Sequence, residues 1–351
     1  MKRVPEPVLS ALAPRFGATL AGLAFLGGGQ DFSDGTVYRF PGPAGDQVLK
    51  ILGPFPPDDA ALEVAEARLA CVKRLADAGS PLVRPVPSRA GSIFERAEAD
   101  GEVYLAYAYP FAPGRAAEPS DAGVRSGTYA RALGAAVARL HAASERLEEP
   151  LRPEGTSGRQ PALGGWRDEW AFFRQWCHDA EVGAAWERLR GALERLPVER
   201  AEYGFVHNDV HPGNAVLDPA AAADGAAEPE LLFIDFDVAG YHWFLNDAAA
   251  AIHGLASLRA GGLEHGAGLE PAELAEVGRP FWEGYRRHRV PGDAWMARLP
   301  LFLQYRRCLL FMPFQELTAA RPEWRARWKG RIAAADAELF GVTPGATRSS
   351  P

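Results

Sequence analysis

The sequence has few cysteines, no excess of positive charge and no long apolar run. Its three cysteines, Cys71, Cys177 and Cys308, are far apart and lie in apolar patterns, so we expect buried thiols rather than disulfides or a zinc site. A net charge of −7 argues against nucleic acid or an anionic membrane as the main partner. No stretch approaches the ~18–20 apolar residues of a membrane span, and no apolar segment follows the start, MKRVPEPV. We therefore expect a cytoplasmic protein.

The length and composition indicate a globular protein with more than one structural part. The chain has 351 residues, of which 47% are hydrophobic and 24% are charged. This composition is typical of a globular chain that buries a sizeable core. The length exceeds that of an average domain. The acidic balance also suits a small cationic substrate. We therefore expect two lobes that share a cleft.

Basic residues are also missing from one long segment, residues 203–247. It contains eight carboxylates and no Lys or Arg. Carboxylates that gather without a basic partner repel each other unless water or a cation intervenes. Two short apolar runs, which we predict to be strands, end close to Asp209, Asn214 and Asp235. Mg²⁺ prefers oxygen ligands of this kind and is the expected counter-charge.

The spacing of Asp209 and Asn214 indicates a specific chemistry. They are five positions apart, as in the D-x-x-x-x-N loop of phosphoryl-transfer enzymes. In such a loop the Asp orients an attacking hydroxyl and accepts its proton, and the Asn binds a metal ion. Asp209 is thus the predicted catalytic base, and Asn214 and Asp235 are the predicted metal ligands. A single Asp at a strand end is more often a cap, so the prediction depends on the whole set.

Two motifs in this segment resemble a known family. HNDVHPGN at 207–214 and FIDFD at 233–237 resemble the aminoglycoside phosphotransferase and choline kinase-like branch of the protein-kinase-like fold. The resemblance implies an α+β two-lobe fold, with a small antiparallel β-rich N-lobe and a larger, mainly helical C-lobe. It implies ATP and Mg²⁺ as cofactors, and a small-molecule hydroxyl acceptor such as an amino sugar or amino alcohol. Protein Ser/Thr kinases share the fold, so a protein acceptor stays open.

The predicted N-lobe offers two phosphate-binding features. Gly27, Gly28 and Gly29 lie between two predicted strands, where the missing Cβ atoms let backbone N–H groups approach phosphate oxygens. An ordinary glycine hairpin would look the same. Lys50 is the only charged residue in the apolar run 48–52, and a Lys in a buried strand needs an anionic partner. The resemblance assigns Lys50 to the ATP phosphates, and an edge-strand Lys that prevents aggregation is the alternative.

A helix predicted over residues 58–78 carries one departure from the family pattern. The resemblance implies that a Glu on this helix pairs with Lys50. Glu66 lies on the inward face and is the candidate, with Glu63 as the alternative. Relatives usually place this Glu seven residues before the Leu of a terminal L-A-x-x-G. That position is Arg68 in this chain.

Further strands are predicted at residues 82–87, 92–96 and 103–109, which would complete a five-stranded antiparallel sheet. Tyr107 and Tyr109 then lie where the fold has its hinge, whose backbone groups would bind the adenine edge of the nucleotide. A strand that simply runs into a proline-terminated loop is the alternative.

The rest of the chain is predicted to be mainly helical. Periodic apolar patterns predict helices at 5–20, 128–144, 166–176, 181–198, 248–259, 271–289, 293–318 and 321–340. The lobes are predicted at 1–108 and 109–340, with 341–351 as a disordered tail and 218–230 as a hairpin tip. Four aromatic residues are candidates for an acceptor pocket but fit core packing equally well: Trp243, Trp282, Tyr285 and Tyr305.

Two functions of other classes remain open. The irregular Glu on the N-lobe helix is compatible with a nucleotide-binding pseudokinase that transfers no phosphate. His207, Asp209 and His211 also have the composition of a metal-hydrolase cluster around zinc, although Asn214 would then have no role. For His207 a structural role in bracing the loop is the more common alternative. Asp247 is expected to brace the same loop.

Overall fold

The computed structural model describes residues 4–28, 35–57, 60–147, 164–217, 228–262 and 268–342. Contacts divide them into two compact units. The first contains Met1–Pro113 and Ile234–Asp237, and the second contains Gly114–Leu151, Gly164–Phe233 and Val238–Pro351, in each case for the described residues. Residues 218–227 of the predicted hairpin tip at 218–230, and residues 343–351 of the predicted tail at 341–351, lie outside the described residues.

The first unit is built on a five-stranded antiparallel sheet with the order β1-β2-β3-β5-β4. The strands are β1 (Ala24–Gly28), β2 (Gly35–Gly42), β3 (Gly45–Phe55), β4 (Glu95–Ala99) and β5 (Glu102–Pro110). Strand β5 is buried over most of its length, and β3 is buried at its centre, over residues 48–52. One face packs on helix α1 (Glu6–Leu12), whose Val8 and Leu12 share a core cluster with Leu49 and Ile51.

Helix α2 (Ala60–Asp77) confirms the helix predicted in this unit, and Leu62, Leu69 and Val72 are buried along one face. The strand predicted at residues 82–87 is wrong, because only Val86 forms an isolated bridge, to Ala108. Pro85 and Pro87 flank Val86 and have no N–H to donate, so a continuous ladder cannot form there.

The second unit is mainly helical. Its helices are α3 (Ala122–Ser126), α4 (Thr128–Arg146), α5 (Trp166–Gln175), α6 (Ala180–Leu193), α7 (Phe244–Arg259), α8 (Pro271–Tyr285), α9 (Asp293–Met296), α10 (Leu299–Ala319) and α11 (Pro322–Phe340). The single helix predicted at 293–318 is divided into α9 and α10. Pro300 lies in the first turn of α10, where its missing N–H needs no partner and favours a helix start.

Two small antiparallel sheets carry the polar segment of the second unit. Strand β6 (Tyr203–Val206) pairs with β9 (Gly240–Trp243), and β7 (Ala215–Leu217) pairs with β8 (Leu231–Phe233). The polar residues 207–214 connect β6 to β7, and β8 leads directly into residues 234–237. No helix among the described residues has the length and hydropathy that a membrane span requires.

Candidate active site

Asp247, in the first turn of α7, fixes the start of the loop at 207–214. Its Oδ2 accepts the backbone N–H of His207 at 2.9 Å, and its Oδ1 accepts that of Asn208 at 2.7 Å. The Oδ2 atom also lies 3.1 Å from Nε2 of buried His141. Burial acts to raise the pKa of Asp247, but His141 and the His207 amide outweigh it and lower that pKa below its ordinary value. These contacts are the ones expected of a residue that braces the loop.

Asn208 turns the chain at the point where the loop begins. Its φ of 63° lies in the left-handed region, which costs energy for any residue with a Cβ. Its side chain compensates, because Nδ2 donates to the carbonyl of Val238 at 3.0 Å and Oδ1 accepts from Asn246 at 3.0 Å. The turn therefore presents the next residue, Asp209, in one fixed orientation.

Asp209 is held by groups on both of its carboxylate oxygens. Oδ1 accepts from Nη2 of Arg306, on α10, at 2.5 Å. Oδ2 accepts from Nδ2 of Asn214 at 3.2 Å and lies 3.4 Å from Nε2 of His211. About a third of the side chain, 34%, stays exposed. The carboxylate is thus both oriented and accessible.

The same neighbours keep Asp209 ionised. Burial acts to raise the pKa of this carboxyl group, but the charge of Arg306 and the hydrogen bond to His211 lower it far below its ordinary value. Asp209 is therefore a carboxylate at every physiological pH. It is a weak base, well suited to orient a hydroxyl group and to accept its proton only late in a reaction.

The two histidines of the loop accept backbone hydrogen bonds. Nδ1 of fully buried His207 accepts the N–H of Asp209 at 3.3 Å, and Nδ1 of His211 accepts that of Gly213 at 3.0 Å. A neutral ring whose Nδ1 accepts carries its proton on Nε2. In His211 this places the N–H on the nitrogen that faces Asp209. The predicted bracing role of His207 agrees with its buried position.

Asn214 is oriented by Asp209. Its Nδ2 donates to both the carbonyl oxygen, at 3.1 Å, and Oδ2 of Asp209. With the amide nitrogen committed in this way, the amide oxygen is the atom that Asn214 can offer to a hard cation. The residue lies in a short 3₁₀ turn, Pro212–Asn214, immediately before β7.

A second carboxylate of this unit, Glu169 on α5, lies close to the same part of α10. Its Oε1 accepts from the hydroxyl of Tyr305 at 2.9 Å. Burial raises the pKa of Glu169 from 4.5 to about 7, with Tyr305 and Arg306 opposing that rise and Asp209 adding to it. Nε2 of buried His242 lies 3.9 Å from the same carboxylate. Helix α10 thus presents Tyr305 to Glu169 and Arg306 to Asp209.

In the first unit Lys50 is buried on β3, with only 2% of the residue exposed. Its Nζ lies 2.6 Å from Oδ2 of Asp237 and 2.8 Å from Oδ1 of Asp235. The hydroxyl of Tyr107, its neighbour on β5, lies 3.4 Å from Oδ1 of Asp237. Burial acts to lower the pKa of Lys50, but Tyr107, Asp237 and Asp235 outweigh it and hold that pKa well above its ordinary value. Lys50 is therefore charged.

Asp235 follows β8 by two residues and has a left-handed φ of 64°. That conformation is uncommon for a residue with a Cβ and is often found at functional positions. Half of the Asp235 side chain, 49%, is exposed, against 16% for Asp237. Asp235 is thus the accessible carboxylate of the pair, with an oxygen that suits a divalent cation.

The structure places the predicted glycines at the end of β1. Gly28 has a φ of 88°, and a Cβ there would lie 2.0 Å from the carbonyl oxygen of Gly35. Gly27 has open space at its Cβ position, and Gly29 lies outside the described residues. Gly35 itself has a role that sequence analysis missed, because a Cβ there would lie 2.6 Å from Cε of Lys50. Only glycine leaves room for Lys50 in this position.

The predicted pair of Lys50 with Glu66 is not formed. Glu66 forms an ion pair with Arg96 on β4, while Lys50 pairs with Asp235 and Asp237. At the position where the resemblance implies an acid, α2 carries Arg68.

Tyr107 and Tyr109 are buried within β5 and paired in register with β3, so the strand runs through the predicted hinge. The chain leaves the sheet only after Pro110.

The four aromatic side chains considered for an acceptor pocket are all buried. Trp243 donates its Nε1–H to the carbonyl of Pro197 at 2.9 Å, and the hydroxyl of Tyr285 lies 2.9 Å from Nδ1 of His141. Trp282 packs edge-on against Tyr285. Tyr305 alone contacts an acid beside Asp209. All four rings are thus packed in the core, and Tyr305 is also stacked on Trp186.

A scan against models of protein families matches residues 22–290 to the Phosphotransferase enzyme family. The amicoumacin kinase of Bacillus subtilis (strain 168) is 25% identical over 313 residues, which cover 87% of this chain and 83% of that protein. An uncharacterized protein of Deinococcus radiodurans is 29% identical over 260 residues, which cover 70% of this chain and 64% of that protein.

Solved structures show the same fold. The amicoumacin kinase hAmiN in complex with AMP-PNP, Ca²⁺ and Ami has a TM-score of 0.69 and 23% identity, with 89% of each chain covered. A microcompartment-associated aminopropanol kinase has a TM-score of 0.66 and 19% identity, over 93% of this chain and 95% of that one. The predicted protein-kinase-like fold, with its antiparallel sheet and mainly helical part, is confirmed, as is the prediction of a phosphotransferase. The chain belongs to the Phosphotransferase enzyme family.

Proposed function

We propose that this enzyme transfers the γ-phosphoryl group of ATP to a hydroxyl of a small molecule that also carries an amine. The observation that carries the proposal is the environment of Asp209. It is kept ionised by Arg306, oriented by Asn214 and left one-third exposed. Such a carboxylate can receive the hydrogen bond of an acceptor hydroxyl and align its oxygen for attack.

The remaining residues have roles that follow from their chemistry. Lys50 and the backbone N–H groups at Gly27 and Gly28 would contact the phosphates of ATP, and Gly29 completes the predicted glycine segment. The amide oxygen of Asn214 and the exposed carboxylate of Asp235 would hold Mg²⁺. Once bound, the metal supplies positive charge that neutralises the phosphate oxygens. A related structure contains AMP-PNP and Ca²⁺, which supports a nucleotide and a divalent cation here.

In the reaction, the acceptor oxygen forms a bond to the γ-phosphorus while the bond from that phosphorus to the β–γ bridging oxygen breaks. Asp209 holds the hydroxyl hydrogen through its carboxylate and receives the proton as the new bond forms. Because its pKa is low, its main contribution is orientation and charge, with proton transfer late. Lys50 keeps positive charge near the phosphates throughout.

The matched test is Asp209→Asn, which removes the charge and keeps the shape. We expect turnover to fall by ~10³-fold, a barrier increase of ~4 kcal/mol, because a positioned catalytic group is lost. ATP consumption in the presence of amino alcohols and amino sugars is the measurement. Asp77→Asn, which removes a surface acid that pairs with Lys73 and Arg84, is the control. Near-normal turnover by Asp209→Asn would refute the assignment.

An amine in the acceptor is supported by two observations. The protein carries a net charge of −7, and related proteins include an amicoumacin kinase and an aminopropanol kinase. Pairs of acceptors that differ only in an amine test the point, for example an amino alcohol against the matching alcohol. We expect kcat/KM to be at least about tenfold higher for the amine, the effect of ~1.4 kcal/mol.

Because Arg68 departs from the family pattern, a second function remains a candidate, that of a nucleotide-binding protein that transfers no phosphate. The same assay separates the two. Binding of Mg–ATP without transfer to any alcohol, amino sugar or generic protein substrate would favour the non-catalytic candidate. Transfer to the protein substrate alone would favour a protein kinase of the same fold.

A further inference from the structure

Lys50 is a buried cation whose partner differs from the one that the family pattern implies. A buried ammonium group is costly unless carboxylates lie next to it. The acid expected on α2, Glu66, is engaged by Arg96. The two carboxylates that do contact Lys50 belong to a single short segment, Asp235 and Asp237.

Arg68 on α2 completes a chain of contacts in the first unit. It occupies the position where the resemblance implies an acid, and its Nη1 donates to the backbone carbonyl of Asp237. The sign of the charge on α2 is therefore reversed. The helix offers a cation to the segment at 234–237, and that segment offers an anion to Lys50.

The two acids of the segment are not equivalent. Asp235 is 49% exposed, so it can still reach a metal ion, while Asp237 is 16% exposed and also contacts Tyr107. The ammonium group of Lys50 has three hydrogens to donate. Two of them are directed to the carboxylates, which leaves the third for a phosphate oxygen.

From this geometry we infer that Asp237 is the positioning residue for Lys50, in place of an acid on α2, and that Arg68 positions Asp237. The inference rests on the proposed function, because it gives Lys50 a nucleotide to bind. In this inference Asp237 positions Lys50 and is not a ligand of the metal ion. The placement of the phosphate-binding lysine then depends on the segment at 234–237, and α2 acts on that segment through Arg68.

A double-mutant cycle in the nucleotide-free protein tests the contact without any activity. Lys50→Met, Asp237→Asn and the double variant are compared by urea unfolding. We expect the shifts in midpoint to be strongly non-additive, with the double variant more stable than the sum of the single effects predicts. Lys50→Met leaves Asp237 without this cation, and Asp237→Asn leaves buried Lys50 with one carboxylate in place of two. The matched cycle of Lys50→Met with Glu66→Gln should be additive. An additive Lys50–Asp237 cycle, or a coupled Lys50–Glu66 cycle, would overturn the inference.

Nucleotide binding gives the second readout. Asp237→Asn should raise the KM for ATP by about tenfold or more, with an unchanged dependence on Mg²⁺ concentration, because Lys50 loses its orientation while Asp235 keeps the metal. Asp237→Glu should recover part of the loss. Arg68→Gln should change the KM in the same direction by less, and Arg68→Lys should recover part of it. If Asp237→Asn needs more Mg²⁺ instead, Asp237 is a metal ligand and the inference fails.

The failure of this inference is distinguishable from that of the proposed function. If Asp209→Asn keeps its turnover, the proposed function fails. If Asp209→Asn is inactive while Asp237→Asn binds AMP-PNP with Mg²⁺ as tightly as the unaltered protein, only the role of Asp237 is wrong. Should Asp237→Asn not fold, Asp237→Glu and the two Arg68 variants carry the same comparison.

Discussion

At the scale of single residues, most of the candidate site consists of charged groups kept in one protonation state by a neighbour. Arg306 does this for Asp209, and the two acids at 235 and 237 do it for Lys50. Glu169 is the exception, since burial raises its pKa to about 7. It is thus the acid near Asp209 that changes its charge in the neutral range.

Glu169 makes the stability of the protein depend on pH. Its folded pKa of about 7 lies above its ordinary 4.5, so between these values the folded protein holds a proton that the unfolded chain has released. The free energy of unfolding therefore falls as the pH rises through this window. The free energy of unfolding of Glu169→Gln lacks this dependence. The difference between Glu169→Gln and the unaltered protein should therefore shift in favour of the variant by up to about 3 kcal/mol from pH 4.5 to pH 8. Urea unfolding at both pH values measures the gain, and an equal difference at the two values contradicts it.

Gly35 tests whether the position of Lys50 matters for nucleotide binding. In Gly35→Ala the new Cβ would lie 2.6 Å from Cε of Lys50, a flexible side chain that can move away. We therefore expect a small loss of stability but an increase of about tenfold in the KM for ATP, because Lys50 is displaced.

The control for Gly35→Ala is Gly42→Ala on the same strand, whose Cβ would lie 2.8 Å from the side chain of Gln47. It introduces a similar steric conflict away from Lys50. Equal effects of the two variants on the KM for ATP would contradict the prediction.

At the scale of secondary structure elements, α4 and α8 approach each other at two glycines. A Cβ at Gly134 on α4 would lie 1.9 Å from the carbonyl oxygen of Phe281, and one at Gly284 on α8 would lie 1.9 Å from that of Arg131. Both obstacles are backbone atoms, which cannot move independently of their helix. The contact matters for the site because α4 carries His141, which contacts the Asp247 carboxylate.

Gly134→Ala should therefore destabilise the protein, by about 1–3 kcal/mol or more, because the two helices must separate to admit the methyl group. Chemical unfolding measures the loss. Gly330 is exposed on α11, with nothing within 4 Å of its Cβ position, so Gly330→Ala should instead stabilise by about 0.5–1 kcal/mol, as in an ordinary helix interior. A neutral Gly134→Ala would show that α4 and α8 can repack.

At the scale of the whole molecule, nucleotide binding should stabilise the folded protein. A ligand that binds only the folded state stabilises it by ~2.7 kcal/mol at 100 times its Kd. We expect AMP-PNP with Mg²⁺ to raise the melting temperature, and the rise to shrink with EDTA or in Lys50→Met. The absence of any shift at millimolar AMP-PNP would contradict the assignment of ATP as cofactor.

Local patterns in the sequence predicted much of this molecule. The spacing of Asp209 and Asn214 identified the loop, and the apolar run around Lys50 identified a buried strand. Each of these signals is contained within a few consecutive residues. The helix at Ala60–Asp77 and the sheet were likewise predictable, because their periodicity is local.

Contacts between distant residues were not predictable. Arg306 lies 97 residues from Asp209 in the sequence, and Tyr305 lies 136 residues from Glu169. Neither pair has a local pattern that would reveal it. The reversed sign at Arg68 was visible in the sequence, but its consequence needed the position of Asp237, 169 residues away. The domain limits at 108 and 340 remain predictions.

The three buried thiols have a practical use. Cys71 belongs to the first unit, while Cys177 and Cys308 belong to the second, and all three are buried thiols outside any disulfide. A maleimide reagent can reach such a sulfur only when the surrounding structure opens. Peptide mapping after timed labelling would therefore report, site by site, how often each half of the enzyme opens, with no introduced probe.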